Sequence, residues 1–167
     1  MFSRLAEKIL GAVPVNGFEF SEGAVGTHRF VERRRDRGEM PFSFSFKASS
    51  DEFKWFLHPD SRDFVSMNIE GVLNMDGLAA KAAFNGTIEA SLFRRRQIIY
   101  DFTFKSSGGT DYRFHGHKDL SIFQPLKSIT TLYGEVMNSR SGKIISTTVT
   151  YMDLRDIPRI LASIRLR

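Results

Sequence analysis

The chain has no cysteine among its 167 residues. That excludes disulfides, thiolate metal sites and a cysteine nucleophile, and it fits a reducing compartment. No apolar run approaches the ~20 residues that a membrane-spanning helix needs. The stretch Phe2–Val15 carries Arg4, Glu7 and Lys8 and lacks the continuous apolar centre of a secretory signal. A cytoplasmic location is the resulting expectation. Catalytic signatures are missing as well. No Gly-x-Ser-x-Gly elbow presents a serine nucleophile, and no Gly-x-Gly-x-x-Gly follows a strand to cradle a dinucleotide. Linkers, low-complexity segments and internal repeats are also absent.

What is present suits one domain, residues 1–167, large enough to bury a core without staples. Sixteen phenylalanines supply much of the buried area such a core requires. The net charge of +5 and a pI of about 9.7 bear on anionic partners rather than on fold. A solvated, soluble surface is the simpler account of that charge.

Alternation dominates the pattern. Four successive stretches, Ile98–Lys105, Asp111–Lys118, Ile129–Met137 and Lys143–Tyr151, read as strands, and glycine-bearing turns separate the first pair and the last pair. Earlier in the chain, Thr27–Arg34 and Met40–Lys47 read as strands around the charged turn Arg35–Glu39. Phe42, Phe44 and Phe46 share one face of the second. Phe64–Asn74 alternates again and leads into the hairpin turn Met75-Asp76-Gly77. Leu78–Phe84 and Thr87–Phe93 follow, with Asn85-Gly86 as a second hairpin signal.

Helices are expected at three places. Residues 1–12 place Phe2, Leu5, Ala6, Ile9 and Leu10 on one face. Ala48–Leu57 starts with Ser49 or Ser50 as a cap and Asp51 and Glu52 in the first turn. Residues 156–165 carry the stripe Ile157, Ile160, Leu161 and Ile164 among arginines, with Pro158 early. Leu120–Lys127 reads as a loop. About nine short-spaced strands joined mainly by hairpins imply an all-β, mainly antiparallel barrel or sandwich.

Particular residues then suggest a family. These are Phe42–Phe46 followed by Asp51-Glu52-Phe53 and His58-Pro59, Gly71, Phe84-Asn85-Gly86, and Ile98, Tyr100, Phe102 and Phe104. Tyr112-Arg113-Phe114-His115-Gly116-His117-Lys118, Thr130-Thr131-Leu132-Tyr133 and Ile160-Leu161 complete the set. The pattern resembles the lipocalin-like β domain that accompanies cholesterol-oxidase-type glucose–methanol–choline oxidoreductases and related α/β-hydrolase polypeptides. The likeness spans most of Gly17–Ile164. It implies a lipocalin-like β-barrel of about 8–9 strands with short flanking helices. It also implies an accessory role beside a partner oxidoreductase or hydrolase, without catalytic residues of its own. His115 and His117 depart from the pattern, as does Leu120–Ser128, which lacks a tryptophan before Thr130.

Candidate sites follow from the strands. An eight-stranded barrel is either filled by side chains or holds one small ligand. Phe42, Phe44, Phe46, Tyr100, Phe102, Phe104, Tyr112, Phe114 and Tyr133 would line or fill that interior. His115 and His117, two apart, share a face with Arg113 and Asp119 and form a weak metal-ligand pair. Ordinary surface histidines explain them more simply. Asp51/Glu52 and Asp153/Asp156 read as helix-start residues. The arginine runs Arg33–Arg35 with Arg37, and Arg94–Arg96, read as solvated turns first, then as contacts to an anionic lipid or protein surface, with nucleic acid last.

The leading expectation is a non-catalytic accessory or binding module for an apolar small molecule, a lipid or sterol, or for a lipid-acting partner enzyme. No cofactor is expected, and the sequence sets no oligomeric state. The alternatives are a protein-interaction domain with a filled core, and a small enzyme using the His115/His117 face. Peripheral membrane contact through the arginines is compatible with the first two.

Overall fold

The computed structural model describes residues 17–51, 65–91, 94–153, 155 and 165–166. The strands are β1 (Phe18–Phe30), β2 (Met40–Ser50), β3 (Val65–Met75), β4 (Ala79–Ser91), β5 (Gln97–Lys105), β6 (Asp111–Asp119), β7 (Thr131–Asn138), β8 (Ile144–Tyr151) and β9 (Arg165–Leu166). One helix is described, α1 (Pro125–Thr130). Each strand from β1 to β8 pairs antiparallel with the next, and β8 returns to β1. The result is a closed eight-stranded β-barrel in which sequence neighbours are always spatial neighbours.

The register gives the barrel its stagger. Partners run from Glu19 through Ser49, Asn68, Thr87, Asp101, His115, Glu135 and Thr147 and return to β1 at Arg29. One circuit therefore displaces the chain by ten residues along β1. Strands so staggered tilt strongly to the axis, which sets how much room the interior leaves.

Inward positions alternate along every strand, as in β3, where Val65, Met67, Ile69, Leu73 and Met75 are buried between exposed neighbours. The two ends differ. At one, four connections span 31–39, 76–78, 106–110 and 139–143. Phenylalanine rings fill this half: Phe102 stacks on Phe84 at 4.2 Å and on Phe114 at 4.6 Å, and Phe44 adjoins all three. Gly116 and Gly134, paired across β6 and β7, make room for the Phe114 ring. A Cβ on either would lie within 2.7 Å of it. At the other end β2 stops and β3 starts, Arg94–Arg96 lead into β5, and the 120–130 connection carries α1.

Several sequence expectations are corrected. Asn85-Gly86 is no turn; β4 runs straight through it. Gly86 is needed because a Cβ there would meet the Asp101 carbonyl oxygen at 2.0 Å and Phe102 Cα at 2.5 Å. β1 starts at Phe18, nine residues before the expected Thr27, and ends at Phe30 rather than Arg34. Ala48–Ser50 finish β2 instead of opening a helix. Part of the supposed Leu120–Lys127 loop belongs to α1, which delays β7 to Thr131. Arg165 and Leu166 pair with Glu19 and Phe18 as β9, so the expected terminal helix does not include Arg165. The helices expected over 1–12, 52–57 and 156–164 lie outside the described residues. The Asp-Gly hairpin is confirmed, with Gly77 at φ 78° and the Leu78 N–H donating to the Met75 carbonyl.

Candidate functional site

Alternation along β6 turns Tyr112, Phe114, Gly116 and Lys118 inward, so a lysine ends an otherwise apolar row. On β1 the row Phe18, Phe20, Glu22 and Ala24 contains a glutamate in the same way. Barrel closure brings the two together. Lys118 Nζ lies 3.3 Å from Glu22 Oε1, with side chains only 4% and 10% exposed. The ammonium also sits 5.1 Å from the centre of the Tyr100 ring, a cation–π distance.

A buried charge demands compensation. Burial alone would depress the Lys118 pKa, but Tyr100 and Glu22 outweigh it and push the value up to about 12. Burial, then the Glu22 charge, pushes the Tyr100 phenol up to about 12 as well. Near neutral pH the cluster therefore holds a lysine cation and a neutral phenol.

Two threonines also face inward, on β8. His117 pairs with Tyr133 and Leu132 with Thr150, so Lys118 and Thr150 flank Leu132 on the inner wall. Thr148, paired with Gly134 and His28, lies instead by the Phe114 ring. Both hydroxyls are buried and, among the described residues, neither has a hydrogen-bond partner. The remaining wall is apolar or small: Phe46, whose ring is 6.1 Å from that of Tyr100, with Ala48, Ile69, Ile88 and Ala90. This arrangement sets a donor and an acceptor side by side on an otherwise apolar inner wall.

Of the residues expected inside, Phe42, Phe44, Phe46, Tyr100, Phe102, Phe104, Tyr112 and Phe114 share one buried core. Tyr133 does not. It is 48% exposed on the outer wall, because β7 turns Leu132, Gly134 and Val136 inward. His115 and His117 are also outside. His115 Nδ1 lies 3.1 Å from Asp101 Oδ2, and Arg113 binds the same carboxylate. Burial would raise the Asp101 pKa, but Arg113 and His115 hold it below the ordinary carboxylate value. His117 pairs instead with Asp119 at 3.3 Å. Among the described residues no three metal-ligating side chains cluster, and this face is a wall of ion pairs rather than a cleft. An outer groove of about 680 Å3 crosses Gly23, Val25, Ser45 and Val72 beside Tyr151.

Lys118, Glu22, Thr148 and Thr150 were not among the expected site residues. Period two carries Tyr112 and Phe114 onto Lys118, so the lysine's direction was available from alternation. Its glutamate partner depended on closure.

His28 closes the opposite end. Its Nε2 donates to the Asp76 carbonyl at 2.9 Å, and its Nδ1 lies 3.0 Å from Ser146 Oγ. The ring stands edge-on to Phe30 at 5.0 Å. Burial holds its pKa below the ordinary imidazole value.

The chain matches no protein-family model, and neither a curated protein nor a solved structure matches it.

Proposed function

We propose that this protein is a non-catalytic binding module that takes one apolar molecule, headed by a hydroxyl or carbonyl, into the half of the barrel around Lys118. The observation that carries this reading is the buried Lys118–Glu22 pair beside Tyr100, with the buried, partnerless Thr150 hydroxyl on the same inner wall. Polar atoms so deep are ordinarily satisfied. The pair is neutral overall, so it suits a neutral hydroxyl better than a free carboxylate, which would face Glu22. A sterol or fatty alcohol fits that description. The resemblance to lipocalin-like domains supports the same class of ligand, and it would make a lipid-acting oxidoreductase or hydrolase the natural partner.

The test is a titration of fluorescent sterol, fatty alcohol and fatty acid probes, with solvent extraction and mass spectrometry of the purified protein. Saturable binding of the first two, weakened at least ten-fold in Thr150→Val and Lys118→Met, is expected. No saturable binding of any probe would overturn the reading. A protein-interaction domain with a filled core would then lead, a reading that the packed phenylalanine half favours.

A further inference from the structure

The connection between β6 and β7 exposes four large apolar side chains within eight residues. Phe123 is 88% exposed, Ile122 63%, Leu126 61% and Ile129 39%. No residue of α1 is buried. Leu126 and Ile129 fall three apart on α1 and share one face, and Ile122 and Phe123 lie in the bend just before it. A six-residue helix has little stability of its own. Local bonds hold it instead: the Ser121 N–H donates to Ser128 Oγ, and the Thr130 hydroxyl donates to the Leu126 carbonyl. The apolar side chains are thus held out in solvent by a fixed backbone.

The neighbouring connection is basic. Arg94, Arg95 and Arg96 are exposed in the turn between β4 and β5. The Leu120 N–H donates to the Arg96 carbonyl at 2.7 Å, which ties the two connections side by side. Lys127 adds a further exposed cation within α1. The acidic neighbour Asp119 is engaged by Gln97 and His117.

We infer that these two connections form a docking edge for an anionic lipid surface, with the 122–129 side chains entering the bilayer interface and the arginines and Lys127 contacting headgroups. Exposed apolar side chains beside cations are the pairing that interfacial binding uses. Shape favours lipid over an acidic protein. A side chain as exposed as Phe123 protrudes, and a protrusion suits insertion rather than the flat, packed fit of a protein interface. The inference stands whether or not the barrel interior holds a ligand.

The full-length protein should co-sediment with vesicles of phosphatidylcholine mixed with phosphatidylglycerol, and not with phosphatidylcholine alone. Replacing Arg94, Arg95 and Arg96 together by Gln should weaken that binding on the order of a hundred-fold, at roughly five-fold per charge. The double variant Phe123→Ser, Leu126→Ser should weaken it about ten-fold or more. All these positions are exposed, and a melting temperature measured for each variant certifies folding. Absence of vesicle binding by the unaltered protein would overturn the inference. Full binding by the Phe123→Ser, Leu126→Ser variant would also overturn it, since that is mere adsorption of a basic protein. So would variants that keep vesicle binding but lose capture of an acidic polypeptide.

Discussion

Lys118 and Glu22 are ninety-six residues apart in the chain and 3.3 Å apart inside the barrel. Neither charge is tolerable there alone, because a buried ion without a partner costs several kcal/mol. Lys118→Met and Glu22→Gln should therefore each destabilise the fold by about 3–5 kcal/mol. The combined variant should lie within about 1–2 kcal/mol of the original protein, since it leaves no orphaned charge. Chemical denaturation of all four proteins closes the cycle. Additive losses would mean that the two side chains do not act as a pair.

Alkaline pH provides an independent reading of the same cluster. Lys118 and Tyr100 both have folded pKa values raised to about 12. Between pH ~10 and 12 the unfolded chain has already released these protons while the folded chain retains them. Stability is thus fully present below pH ~10 and falls as pH rises through 12, by about 2–3 kcal/mol for the coupled groups. Tyr100→Phe should flatten the decline. A wild-type profile that is flat over this interval would mean the cluster is more hydrated than its burial indicates.

His28 has the opposite sense. Its folded pKa is lowered, so the unfolded chain binds protons first as pH falls below ~6.5. Stability should then drop as pH falls below ~6.5. His28→Gln should remove that slope, because glutamine can still donate to the Asp76 carbonyl but does not titrate. An unchanged slope would assign the titration to another group.

Packing in the filled half should be unforgiving. Phe44 adjoins Phe42, Phe46, Phe84, Phe102 and Phe114. Phe44→Ala should cost about 3–5 kcal/mol. A loss below about 1 kcal/mol would mean the neighbouring rings collapse into the space.

Two glycines separate backbone approach from mere exposure. Gly86→Ala drives a methyl into the β5 backbone and should cost more than about 3 kcal/mol or prevent folding. At Gly23 the added carbon meets ordinary contacts at 3.7 and 3.9 Å. Gly23→Ala should stay within about 0.5–1 kcal/mol of the parent protein. Equal melting temperatures for the two variants would contradict the close approach of β4 to β5.

The sequence by itself determined the all-β class, the Asp76-Gly77 hairpin and most of the inner face. Each follows from local geometry: period two sends alternate residues to one side, and Asp-Gly accepts positive φ. Phe42, Phe44, Phe46, Phe102, Phe104 and Phe114 were legible as one core for that reason. Tyr133 was misplaced because β7 has alternation too weak to choose a face. Asn85-Gly86 imitates a turn, and only the adjacent strand shows that its glycine serves close approach.

The beginning of β1 was hidden by Glu22, a charge on an apolar row. That residue looks like an error in the strand until closure sets Lys118 against it. Alternation carries information over two residues, whereas the ten-residue stagger arises from eight successive pairings. Tertiary structure alone decided which inward residues share a level, and hence that a lysine, a glutamate and a phenol meet inside the barrel.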